Sequence, residues 1–253
     1  MNFQTDELDF SNASCRAERI CAKCKIVGCP FARRVARSGT LAQHRLTRGQ
    51  GIQCPDGACL RFWIVIEGYA ATCTYFRDGR RQILSIDEPG TAVCGLMVAE
   101  DSEQRLEALT DCLVCEVDLT EQALELRNDA EFLADVSRML HERLERSIVH
   151  VSMLGRLDSF ERVTYFLADM ATRHGRKGAP VTLSMSREDI ADYLGLNTDS
   201  VSRILTRIRK AGLVRFVSPT EYFVPDMKAV ARRLPVAAPT PARSMLATGG
   251  HVQ

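Results

Sequence analysis

The sequence predicts an α+β chain: a barrel- or roll-like antiparallel β region, one long helix, and a smaller helical domain ending in a winged helix-turn-helix. Three observations carry this. Between about residues 40 and 117, short runs rich in β-branched and aromatic residues alternate with turn residues. A stretch over 121–154 then repeats apolar residues three and four apart. Finally, SREDIADYLGLNTDSVSRILTRIRKAGLV sets a helix cap, a glycine turn and a second amphipathic helix in succession. The 253 residues, 45 % hydrophobic and 26 % charged, are enough for two packed domains.

Four cysteines, Cys15, Cys21, Cys24 and Cys29, crowd residues 1–39, the first of five predicted segments. The opening MNFQTDELDF is acidic and lacks a continuous apolar run, so it does not read as a signal peptide. No apolar stretch approaches the roughly 18–20 residues that span a bilayer, so no membrane association is expected. The expected location is the cytoplasm. In that reducing compartment ten cysteines read as ligands, sensors or buried small side chains rather than as a disulfide scaffold.

The β region is predicted over 40–120. FWIVIEGY, AATCTYF, RQILSI and LVCEVDL read as strands, and Asp78-Gly79 marks a hairpin between two of them. The long helix is predicted over 121–154, with Leu133, Val136, Leu140, Leu144, Ile148 and Val151 in one stripe. That stripe is long enough to pack on the β region and also to form a coiled-coil dimer seam. Gly155 and Arg156–Ser159 read as a hinge into a second domain over 155–235. Its first helix buries Phe160, Val163, Leu167 and Met170. The tail 236–253, rich in Ala, Pro and Gly, is expected to be disordered.

Within the second domain Ser186 is placed to cap a short helix that ends at Gly195. Leu196 plugs the turn and Asn197 caps the next helix, whose Val201, Ile204, Leu205 and Ile208 share one face. Asp199, Ser202, Arg203 and Thr206 then lie on the opposite face, near the end that enters a major groove. Their chemistry suits base edges: Arg bonds both guanine acceptors, Asp accepts from the cytosine amino group, and Ser does either. Arg207, Arg209 and Lys210 suit phosphate. Two strands over 213–217 and 222–224 make a wing. The whole chain has a net charge of only +1, but residues 155–235 hold 14 basic against 9 acidic side chains.

These features resemble the Crp/Fnr family of dimeric regulators, over about Cys21 to Arg233. The motifs concerned are DIADYLGLNTDSVSR, the GYAATCTYFRDGRRQILSI hairpin, the long helix and the cysteine pattern. The resemblance implies a β-roll sensor domain, a dimerisation helix and a winged helix-turn-helix. It also implies that Asp199, Ser202 and Arg203 read bases in a palindromic double-stranded site, with Asp199 standing where the Fnr branch usually has Glu. A homodimer is implied, and RNA polymerase is an implied further partner.

Cys21-x2-Cys24-x4-Cys29, followed by Pro30-Phe31, sets three thiolates within reach of one another. Such a trio suits zinc or an iron–sulfur cluster, and a thiol–disulfide switch is the remaining reading. Resemblance to the oxygen-sensing Fnr branch implies a 4Fe-4S cluster with a fourth cysteine from a β-roll strand. Cys115, in LVCEV, matches that position, with Cys112 and Cys15 as competitors. Cyclic-nucleotide-binding relatives carry a Gly-Glu turn and an Arg-Ser-Ala run. GTAVCGLMVAEDSEQRLEALTDC has neither, so no cyclic nucleotide is expected. No nucleophile triad, carboxylate pair or phosphate-cradling glycine loop is evident, so the chain is not expected to be an enzyme.

Overall fold

Contacts divide the chain into two units, Met1–Ala70 with Ile86–His141, and Ala71–Ser85 with Glu142–Gln253. The computed structural model describes residues 29, 31, 40–53, 61–94, 104–120, 123–126, 128–175 and 179–236. Cys15, Cys21, Cys24, Cys54, Cys59 and the tail beyond Val236 lie outside the described residues.

The first unit is built on a sheet in the order β1-β8-β3-β6. Its strands are β1 (Thr40–Leu46), β3 (Arg61–Glu67), β6 (Ala92–Cys94) and β8 (Cys112–Asp118). Strand β8 pairs antiparallel with both β1 and β3, so Cys115 lies between Gln43 and Ile64. Two further strands, β2 (Gly51–Gln53) and β7 (Arg105–Ala108), pair antiparallel. Side chains of a strand alternate between faces, and β8 is apolar on both. Leu113, Cys115 and Val117 join Phe62, Ile64 and Cys94 in one cluster. Cys112 and Val114 join Trp63, Val65 and Leu106 in another. Gly68 (φ +80°) turns the chain after β3, where a Cβ would stand 2.2 Å from the Asp111 carbonyl oxygen.

After the short helix α1 (Ala123–Leu126), helix α2 (Ala130–Arg156) runs for 27 residues. It begins later than Glu121 because Asp129 intervenes as a cap, its carboxylate accepting from the Phe132 amide at 2.9 Å. It passes straight through Gly155, and the break falls at Leu157-Asp158 instead. There Asp158 and Glu161 form a reciprocal capping box that starts α3 (Ser159–His174). In its first half α2 turns Phe132, Val136 and Met139 onto the Cys115 cluster, with the Phe132 ring edge-on to Phe62.

The second unit contains the hairpin of β4 (Ala70–Tyr75) and β5 (Arg81–Asp87), grouped by its contacts with the C-terminal half. Its tip is closed by the Gly79 amide donating to the Phe76 carbonyl and Phe76 donating to Arg80. The second half of α2 is tied to this hairpin by Arg143, which donates to the hydroxyls of Thr72 and Ser85 at 2.7 and 2.9 Å. There follow α3, β9 (Val181–Thr182), α4 (Arg187–Leu194), α5 (Thr198–Lys210), β10 (Arg215–Phe216), β11 (Glu221–Phe223) and α6 (Met227–Ala231). The wing has three strands, β10-β11-β9, rather than the two expected. Val181 and Thr182 pair with Tyr222 and Glu221, a two-residue strand too short to show alternation in sequence. Buried Tyr222 donates its hydroxyl to the Leu167 carbonyl and so fastens the wing to α3.

Candidate nucleic-acid interface

The helix-turn-helix forms as its residue types dictate. Ser186 accepts from the Asp189 amide, and the Asp189 carboxylate accepts from the Ser186 amide and hydroxyl. These bonds satisfy orphan donors at the start of α4. Gly195 (φ +63°) ends α4 in the left-handed conformation that glycine adopts without a Cβ penalty. Its amide and that of Leu196 both donate to the Ala191 carbonyl. Asn197 then accepts from the Ser200 amide at 2.8 Å and opens α5.

Helix α5 is sharply two-faced. Val201, Ile204, Leu205 and Ile208 are buried, as their spacing predicts. Asp199, Ser202, Arg203, Thr206, Arg207, Arg209 and Lys210 are all exposed. Asp199 stands in the first turn and the basic trio in the last, each the favourable sign for the helix dipole. Arg203 reaches back to the Ser200 hydroxyl at 3.5 Å, a loose contact. The Thr206 hydroxyl donates to the Ser202 carbonyl. Arg207 is held differently from its neighbours: its guanidinium lies 4.9 Å from the centre of the Phe160 ring on α3. The wing turn is also fastened, by Arg187 donating to the Pro219 carbonyl at 3.3 Å. Nothing in the local sequence around Arg187 pointed to that tie.

The predicted seam divides into two faces of α2. Leu133, Leu144, Ile148 and Val151 are exposed, with Val151 at 68 %, and Leu140 is half-buried. Val136 instead packs on the apolar core of the first unit, one turn from Phe132. Val149, absent from the predicted stripe, is also exposed.

Among the predicted thiol ligands, Cys29 and Cys115 both belong to the apolar core of the first unit. Both pack in the apolar cluster that holds Phe31, whose ring centre is 4.3 Å from that of Phe62. Cys112 is turned to the opposite face of β8. Its sulfur lies 2.9 Å from the Tyr69 carbonyl oxygen and 3.1 Å from that of Thr110, and burial pushes its pKa up. Cys73 and Cys94 are buried as small core side chains are. Among the described residues no three His, Cys, Asp or Glu side chains converge as a metal site. Nor is any described helix long and apolar enough to cross a membrane.

Comparison with known proteins accords with this geometry. The Crp-like helix-turn-helix domain family matches residues 161–233. The nitrogen fixation regulation protein FixK of Azorhizobium caulinodans is 33 % identical over 202 residues, covering 78 % of this chain and 80 % of that protein. FixK of Rhizobium meliloti is 33 % identical over 137 residues, 54 % of this chain and 61 % of that one. Among solved structures, FixK2 from Bradyrhizobium japonicum superposes with a TM-score of 0.70 at 26 % identity, over 79 % of this chain and 100 % of that one. A CRP-family transcriptional regulator from Thermus thermophilus shares the fold, with a TM-score of 0.60 at 24 % identity over 77 % and 98 % of the two chains. These relatives are regulators, not enzymes. The chain therefore belongs to the Crp/Fnr family, as a transcription regulator of the Fnr branch with a DNA-binding helix-turn-helix.

Proposed function

We propose that this regulator is a cytoplasmic homodimer that reads a palindromic DNA site through α5 and is gated by an oxygen- or redox-labile 4Fe-4S cluster. Cys21, Cys24, Cys29 and Cys115 would hold the cluster, which supplies an oxygen-reactive centre when bound. The observation that supports this ligand set is that Cys29 and Cys115 pack on the same apolar cluster, with Cys112 on the other face of the same strand. A low-dielectric surround with Phe31 and Phe62 suits soft thiolate ligands and limits solvent access. Asp199, Ser202 and Arg203 contact base edges, Thr206 supports them, and Arg207 and Arg209 lie along the phosphates. Leu133, Leu140, Leu144, Ile148 and Val151 form the seam between copies, and RNA polymerase is the partner that DNA-bound protein meets.

Protein purified without oxygen tests the gating. The absorption spectrum, iron and acid-labile sulfide are measured for the wild type and for Cys115→Ser and Cys112→Ser. Iron and sulfide should be lost from Cys115→Ser and kept by Cys112→Ser. Full iron in Cys115→Ser would defeat the ligand assignment. A colourless wild type that still changes DNA affinity on thiol oxidation would replace the cluster with a thiol–disulfide switch.

A further inference from the structure

Helix α4 has eight residues, too few to hold itself together in water. A helix also ends with carbonyls that lack intrahelical donors. Here each of the last four is met, and from four different places. Ala191 accepts from the turn amides of Gly195 and Leu196. Asp192 accepts from the Gln82 side-chain amide on β5 at 2.6 Å. The Tyr193 carbonyl oxygen is 2.8 Å from His150 Nε2 on α2, and the two rings stack with centres 4.1 Å apart. Leu194 accepts from Arg162 on α3 at 3.1 Å.

The flank of α4 is gripped as well. Arg81 on β5 donates from Nη2 to Asp189 Oδ1 and from Nε to Asp192 Oδ2, both at 2.7 Å. The Arg81 side chain is 15 % exposed and that of Asp189 only 4 %, so this is not a surface pair worth little. Removing the arginine leaves a buried carboxylate without its counter-charge. Arg81 and Gln82 stand more than 100 residues from their partners, so no local pattern announces the contact.

We infer that the β4–β5 hairpin, through Arg81 and Gln82, positions the DNA reader by fixing the axis of α4. The α4–α5 turn transmits that axis to α5, because Ile190, Ala191 and Leu194 are buried with Val201 and Ile204 in this unit. Bidentate base contacts demand angular accuracy, whereas phosphate neutralisation is tolerant of it. Loss of the grip therefore lowers specific affinity and spares non-specific affinity. Arg81 and Gln82 are positioning residues, and the inference rests on the assignment of α5 as base reader.

The test uses the full chain and two duplexes, one selected by the wild type from a random pool and one scrambled. Arg81→Ala should weaken binding to the selected duplex at least about tenfold, the size of a lost base contact. Scrambled binding and salt slope should stay within about twofold of wild type. Arg81→Lys, which keeps a positive charge facing both Asp189 and Asp192, should retain part of the specific affinity that Arg81→Ala loses. Equal losses on both duplexes, or no loss, would overturn the inference. If Arg81→Ala does not fold, Gln82→Leu carries the same expectation, and an unchanged ratio there overturns it too. A wild type that selects no site would instead defeat the reading of α5.

Discussion

Replacing Ile148 with alanine should weaken pairing of the chain without disturbing its fold. Ile148 is 56 % exposed in the single chain, so little intramolecular packing depends on it. Alanine is also the better helix former at a solvent-facing position. Fully burying such a side chain contributes about 1.5–3 kcal/mol, and roughly half of that surface remains to be covered by a partner. Each copy then loses on the order of 1 kcal/mol, and two-fold symmetry counts the loss twice. A total near 2 kcal/mol corresponds to a dimer dissociation constant raised roughly thirtyfold. Sedimentation equilibrium across a concentration series reads that constant, and thermal unfolding of the dissociated protein should be unchanged or slightly improved. DNA binding should fall at low protein concentration and recover at high concentration. An unaltered dissociation constant would refute the placement of the seam on this face of α2.

Arg203→Ala should relax preference at one base in each half-site and cost about 1–3 kcal/mol, whereas Arg209→Ala should weaken all sequences alike and reduce the salt slope; binding-site selection and salt titration separate the two. Tyr222→Phe removes the donor to a carbonyl in the core and should destabilise the protein by about 1–3 kcal/mol in urea unfolding. Burial holds the His150 pKa below its ordinary value, so the unfolded chain binds the extra proton first. Stability from the neutral ring is therefore complete above the unfolded value of about 6.5 and is lost as pH falls through the lowered folded value. Urea midpoints measured from pH 8 to pH 5 should decline less steeply in His150→Gln than in the wild type.

Much of the DNA reader was legible because its signals are local. Ser186, Gly195 and Asn197 are chemically suited to the ends they occupy, and the i, i+3, i+4, i+7 spacing from Val201 marks the buried face directly. Strands such as Arg61–Glu67 were legible from their β-branched and aromatic content. What escaped depends on partners distant in sequence. Val181-Thr182 becomes a strand only because Tyr222 arrives beside it. Val136 shares a helical stripe with Leu140, yet a few tens of degrees around α2 are enough to turn it to the Phe62 side. The grip of Arg81 on α4 has no signature at all, since an arginine in a hairpin and two aspartates in a helix are each ordinary surface residues until the fold joins them.

The two thiols of β8 are both buried, but on opposite faces of the sheet. Three residues apart on an extended strand, Cys112 and Cys115 point through opposite sides of the sheet, so they cannot bridge to each other under oxidation. They also differ in what shields them: Cys115 shares its cluster with Phe31, whereas Cys112 is enclosed by Trp63, Val114 and the turn at Tyr69. Displacement of Phe31 from its cluster would thus uncover Cys115 and leave Cys112 enclosed as a reference. The strand would then carry its own ratiometric chemical reporter, in which alkylation of Cys115 relative to Cys112 reads how often Phe31 leaves the cluster.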